Sequence, residues 1–287
     1  MSHTLFPHFS FKLPAIFFAG LVALSVPSPA RAQTVNAPPK VEVAAAGAAV
    51  SDEKAEAIVR RAVEAAGGAA FLNVRTVVVR GNYVPYAKGE AGDIVKFLDY
   101  IAYPDRERTE FKSRGVLSVQ TNVGTGANSS GWIFDGMTKS LRDMAPEQIE
   151  DFRFVMKTGF DNLLRGWWRK DGAKLSYVGR REAGLARRNE TVRLTYPDGF
   201  QIDYEIGARD GLPAKVSYKR KDKEGAEQPE EDRLFRHMTV AGVTVAFVID
   251  HYRAGVQTSR INYDTVEFNR PTPDSLFAKP ASAKAVK

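Results

Sequence analysis

The chain has no cysteine, and its first 32 residues contain no acidic residue. Without cysteine there are no disulfides, so a fold in an oxidising compartment has to rest on an apolar core. Lipid attachment behind the N-terminal apolar stretch, as in bacterial lipoproteins, is excluded for the same reason. That stretch, residues 13–26, is shorter than the about 20 apolar residues a membrane span needs, and Pro14 interrupts it. With Lys12 ahead of it and Ala30-Arg31-Ala32 behind it, it matches a cleaved export signal and leaves Gln33 as the new N-terminus. The expected product is exported, soluble and unanchored.

Catalytic residue types are equally sparse. Beyond residue 32 the only histidines are His237 and His251, neither in a metal-binding pattern, and both are read as structural residues on strands. Gly124-Thr125-Gly126 starts a glycine-rich loop, but the dinucleotide pattern fails at Ser129 and the phosphate-loop pattern meets Trp132 where lysine is required. Asp203 and Glu205 share a strand face with Gln201 and are expected to face solvent. No carboxylate pair is brought across a cleft by sequence alone, as a glycosidase would need. A strong excess of charge of one sign is also missing. Without the signal, 39 basic residues face 34 acidic ones, a net charge near +5, and the two signs interleave as in Arg106-Glu107-Arg108. This describes a solvated mixed surface, not a nucleic-acid track. The expectation is a non-enzymatic protein with no cofactor and no metal.

Apolar and aromatic residues are abundant. After residue 32 there are 12 Phe, 10 Tyr and 3 Trp, enough for a substantial core. Residues 33–50 are rich in Ala, Val and Pro and are read as a flexible leader. Ser51 then offers an N-cap, and Ala55, Ile58, Val59, Ala62, Val63 and Ala66 recur at helical spacing until Gly67-Gly68. From Thr76 the period becomes two, and several β-rich segments alternate with Gly, Pro and charged clusters. A second helix is predicted from Pro146 to Gly166, with Ile149, Phe152, Val155, Met156, Phe160, Leu163 and Leu164 as a broad apolar stripe and Trp167-Trp168 just beyond. Strands resume afterwards. Phe200, Ile202, Tyr204 and Ile206 alternate with polar residues, residues 243–249 are apolar almost throughout, and residues 219–232 read as the two limbs of an exposed hairpin. Between residues 261 and 268 the apolar phase shifts, which predicts a bulge or sharp bend near Asp264. The fold class is mainly β (α+β): a strongly curved, unclosed antiparallel β-barrel of about ten strands with helices on its concave side.

In its order of features the chain resembles the outer-membrane lipoprotein-sorting, LolA/LolB-like family, as a divergent member. The resemblance rests on Ala66-Gly67-Gly68 with Leu72 and Val74, Trp132 to Gly136, and Leu175-Ser176-Tyr177-Val178-Gly179. It continues in Asp210-Gly211-Leu212-Pro213 with Lys215 and in the ending Phe268-Asn269, Asp274, Phe277 and Pro280. It places a half-barrel domain at residues 51–281, followed by a disordered tail at 282–287. The resemblance implies a periplasmic carrier or sensor for lipoprotein or lipid acyl chains, acting as a monomer between membrane-bound donor and acceptor proteins. On this reading Phe152, Val155, Met156, Phe160, Leu163 and Leu164, together with Trp167, contact the cargo. Two other readings stay open: a protein-interaction module with a filled core, and an envelope polysaccharide hydrolase.

Overall fold

The computed structural model describes residues 52–222 and 225–286. The expected signal peptide, the leader, the Ser51 cap, and Lys223 and Glu224 of the charged hairpin lie outside the described residues.

Strands dominate. The first run is β1 (Thr76–Ala87), β2 (Glu90–Ala91), β3 (Val95–Ala102), β4 (Arg106–Ser113), β5 (Val116–Val123), β6 (Ser130–Asp135) and β7 (Ser140–Asp143). The second is β8 (Lys174–Glu182), β9 (Arg188–Thr195), β10 (Gln201–Gly207), β11 (Pro213–Lys221), β12 (Glu227–Val240), β13 (Val243–Arg253) and β14 (Val256–Phe268). They form one antiparallel sheet in the order β7-β6-β5-β4-β3-β1-β14-β13-β12-β11-β10-β9-β8, with β2 attached to β1 alone. Each run is a meander, and the β1/β14 pairing joins the two. The outermost strands β7 and β8 do not pair with each other, so the sheet is unclosed.

Fourteen strands replace the expected ten or so. Two of the extra ones, β2 and β7, have only two and four residues; β11 and β12 form the hairpin expected at residues 219–232, but Glu230 and Asp232 in it are buried and not exposed. The expected bulge is present. Arg80 lies opposite Thr265 and Gly81 opposite Tyr263, leaving Asp264 as the extra residue, with Asn82 Nδ2 donating to its carboxylate at 3.0 Å. Only glycine fits at position 81, because a Cβ there would run into the Asn262 carbonyl oxygen and the Phe97 ring.

Helix α1 (Glu53–Ala65) buries Ala55, Ile58, Val59 and Ala62. Asp52 caps it, accepting from the Lys54 N–H at 2.9 Å and the Ala55 N–H at 3.4 Å. The same residue ties the helix to the edge strand β8: its N–H donates to Leu175 O at 3.1 Å, and its Oδ2 accepts from the Tyr177 N–H at 3.0 Å. A short α2 (Ala69–Leu72) follows Gly67, where a Cβ would collide with the Gly242 carbonyl.

The expected single helix from Pro146 to Gly166 is broken in two. It runs as α3 (Pro146–Thr158) and α4 (Phe160–Leu164), because Gly159 between them is extended, at φ −64° and ψ 156°. The Thr158 hydroxyl donates to the Phe154 carbonyl, and Asn162 Nδ2 donates to the Lys157 carbonyl at 2.6 Å, so side chains satisfy the backbone at the break.

One apolar core draws on α1, α3, α4 and most of the strands. Ile202, Tyr204 and Ile206 are wholly buried on the core face of β10, as their alternation predicts. The opposite face corrects one expectation, since Asp203 and Glu205 are buried and not solvent-facing. Arg193 and Arg181 hold Asp203 at 2.5 and 2.6 Å, and Lys215 and Asn189 hold Glu205 at 2.8 and 2.9 Å. After the desolvation that opposes ionisation, Arg193 and Arg181 keep the Asp203 carboxyl below its ordinary pKa.

Candidate functional site

An apolar cavity of about 130 Å3 lies between the helices and the middle of the sheet. Val77 and Val79 of β1, Ile101 of β3, and Val266 and Phe268 of β14 form one wall. Val243, Val245, Ala246 and Ile249 of β13 extend it, and Phe71 and Val74 close one end. On the helical side stand Val155 and Met156 of α3, with Phe160 and Leu164 of α4. The Gly159 break turns both helices toward the same space. Aromatic edges set its shape: Phe160 meets Tyr204 edge-on at 5.2 Å, and Phe97 and Phe247 each meet Tyr263 edge-on at 6.2 Å.

The residues singled out from sequence therefore divide. Val155, Met156, Phe160 and Leu164 line the cavity. Phe152 and Leu163 are buried in the core and do not line it. Trp167 begins a 3-10 turn, Trp167–Asp171, and does not itself line the cavity, although its ring packs at 5.7 Å against Tyr103, which does.

A polar latch at the cavity margin lay outside the apolar pattern. Tyr103 Oη donates to Asp161 Oδ2 at 2.8 Å, and Arg165 Nε donates to Asp161 Oδ1 at 2.7 Å. Arg165 also donates to the Phe71 carbonyl at 3.2 Å, while its guanidinium lies over the Phe71 and Tyr103 rings at 4.4 and 4.3 Å. The charge-bearing end of α4 is thereby fastened to the end of α2. Burial works against the Arg165 charge, but Asp161 holds its pKa up; burial and Asp161 together push the Tyr103 phenol well above its usual range. An i,i+4 Asp–Arg spacing was the one sequence signal for this pair. His237 also lines the cavity, its Nε2 lacks a hydrogen-bond partner, and burial lowers its pKa, so it is neutral at neutral pH.

Asp99 and Glu107 form a buried carboxyl pair beside the cavity, hydrogen-bonded to each other, with the Thr109 hydroxyl donating to Asp99 at 2.9 Å. Desolvation first, and then the neighbouring carboxyl in the case of Glu107, raises both pKa values, so the pair retains a proton where ordinary carboxyls are ionised. Two carboxyls in mutual contact leave no room for a sugar between them, unlike the separated carboxyls of glycosidases. Among the described residues, no group of three or more His, Asp or Glu side chains is placed to hold a metal ion. No described helix is long and apolar enough to cross a membrane.

With this geometry the class is defined by shape: the chain has a LolA-like fold. A DUF1329 family protein from Desulfovibrio piger aligns with a TM-score of 0.58 and 11% identity, over 78% of this chain and 97% of that one. A LolA superfamily protein from Nitrosomonas europaea aligns with a TM-score of 0.53 and 14% identity, over 78% and 97% respectively. The sequence itself matches no family model and no curated protein.

Proposed function

We propose that the protein is an exported, periplasmic carrier or sensor that holds an acyl chain of a lipid or lipidated protein in the cavity between α3, α4 and the sheet. The observation behind this reading is the cavity itself: four apolar side chains of a broken helix face an apolar sheet wall without filling the space between them. Its 130 Å3 is below the about 300–1,000 Å3 of ordinary ligand pockets, so a long chain has to displace α3 and α4, and Gly159 supplies the joint. On this reading the unclosed sheet curls around the helices as a half-barrel. Membrane-bound donor and acceptor proteins would load and unload the cargo.

Protein purified without detergent is expected to release acyl material on lipid extraction, or to take up a hydrophobic dye that long-chain lipid displaces. A folded monomer that does neither overturns the reading. The second reading, a protein-interaction module with a filled core, is favoured by the full burial of Phe152 and Leu163 on the same helical segment. It predicts no dye uptake at any lipid concentration.

A further inference from the structure

On the core face of β3, β4 and β5, buried hydrogen-bond acceptors gather, and among the described residues no basic side chain is ion-paired with Asp99 or Glu107. Asp99 and Glu107 touch each other, and Asn122 stands directly opposite Glu107 in the β4/β5 register. Directly opposed residues of an antiparallel pair point to the same side, so Asn122 faces the same notch. Glu107 Oε1 and Asn122 Oδ1 have no hydrogen-bond partner, although the two residues are only 1% and 5% exposed. Unpaired buried acceptors of this kind call for a donor.

The notch adjoins the cavity. Val79 lies opposite Asp99 across β1/β3, Ile101 lies opposite Glu107 across β3/β4, and both line the cavity wall. Tyr263, also in the lining, is close enough to both carboxyls for their charge to add to the burial that raises its pKa. The other charges at the margin are already matched, since Arg165 is paired with Asp161 and His237 is neutral.

We propose that this notch receives the ammonium group of an amine-bearing amphiphile whose chain lies in the cavity, an assignment that rests on the carrier reading above. An ammonium carries three N–H donors, which Asp99, Glu107 and Asn122 can accept. A carboxylate head group would instead meet like charge in a poorly solvated site. An inorganic cation would use the notch but not the apolar space beside it. The bound ammonium takes the place of the proton the two carboxyls share, so affinity rises with pH as the pair ionises.

Displacement of Nile red from the exported chain by dodecylamine, dodecanol and dodecanoate tests the assignment. Dodecylamine is expected to displace the dye at a concentration about tenfold below dodecanol, with dodecanoate the weakest of the three. The double variant Asp99→Asn, Glu107→Gln is expected to lose the amine advantage while dodecanol acts as before. Asn122→Leu, a milder change, is expected to reduce that advantage about threefold. Equal potency of amine and alcohol, or an amine preference that survives loss of both carboxyls, overturns the assignment and leaves the carrier reading standing. Failure of dodecanol to displace any dye removes the carrier reading, and the assignment with it. If calcium chloride or potassium chloride alone raises the melting temperature of the wild type but not of the double variant, the notch is an inorganic-cation site and the amine assignment is overturned.

Discussion

Phe160 and Leu163 lie three residues apart on the same short helix, yet they have different surroundings. Leu163 is in the packed core away from the cavity, while Phe160 meets Tyr204 edge-on and also lines the cavity. Leu163→Ala is therefore expected to cost about 2–5 kcal/mol in a urea titration and to leave dye affinity unchanged. Phe160→Ala removes a ring that already borders empty space, so it should cost less than the about 3–5 kcal/mol of a fully packed phenylalanine and should alter dye uptake. The reverse ranking would assign Phe160 to a filled core. Asp99 and Glu107 give a second prediction at this scale. Their folded pKa values are raised above the unfolded ones, so the native state binds more protons and stability falls as pH rises from the ordinary carboxyl range through the raised folded values. Urea midpoints of the wild type at pH 5 and pH 8 are expected to differ in that direction. In the Asp99→Asn, Glu107→Gln variant that fall is expected to shrink, because the amide side chains do not ionise. Neither residue stood out in the sequence, although Asp99 alternates with Val95, Phe97 and Ile101 on one face of its strand; the pairing of β3 with β4 then brings Glu107 onto the same face.

At the scale of elements, amphipathic period was the readable quantity and chain breaks were not. Ala55 to Ala62 and Ile202 to Ile206 fold as their spacing indicates, and the phase shift between residues 261 and 268 corresponds to a bulge at Asp264. The stripe from Phe152 to Leu164 also persists, but periodicity cannot register that Gly159 leaves the helical region between two halves of one apolar face. Strands β11 and β12 were legible as the limbs of a hairpin at residues 219–232, but the burial of Glu230 and Asp232 was not, because in a charged segment only the pairing decides which face turns inward. The Gly159 break leads to a prediction of its own. A Cβ at this position would meet nothing nearer than the Val155 carbonyl at 3.4 Å, and its φ of −64° suits alanine. Gly159→Ala is expected to raise stability by about 0.4–1 kcal/mol through the unfolded chain. It should also favour a continuous helix and slow Nile red uptake in stopped-flow fluorescence. Unchanged uptake kinetics would show that cargo enters without bending at this joint.

For the whole molecule, one sheet supplies both the core and the cavity wall, so loading and stability are linked. A ligand that binds only the folded state adds RT ln(1 + [L]/Kd), about 2.7 kcal/mol at a hundredfold excess over Kd. In a domain of this size about 1 kcal/mol moves the melting temperature by roughly 2–4 °C. Protein delipidated by solvent extraction and refolded is therefore expected to melt about 5–10 °C below the same protein saturated with dodecanol, with the shift growing as the logarithm of ligand concentration. The site of the coupling distinguishes this from non-specific protection. Arg165 joins α4 to the carbonyl of Phe71 and to Asp161, so the latch and the cavity margin share one set of contacts. Arg165→Met removes those donors while keeping an apolar stem against Phe71 and Tyr103. It should lower the melting temperature of the empty protein and increase the shift produced by dodecanol, because α3 and α4 then yield to cargo at less cost. A shift equal to that of the wild type would place the opening elsewhere in the fold.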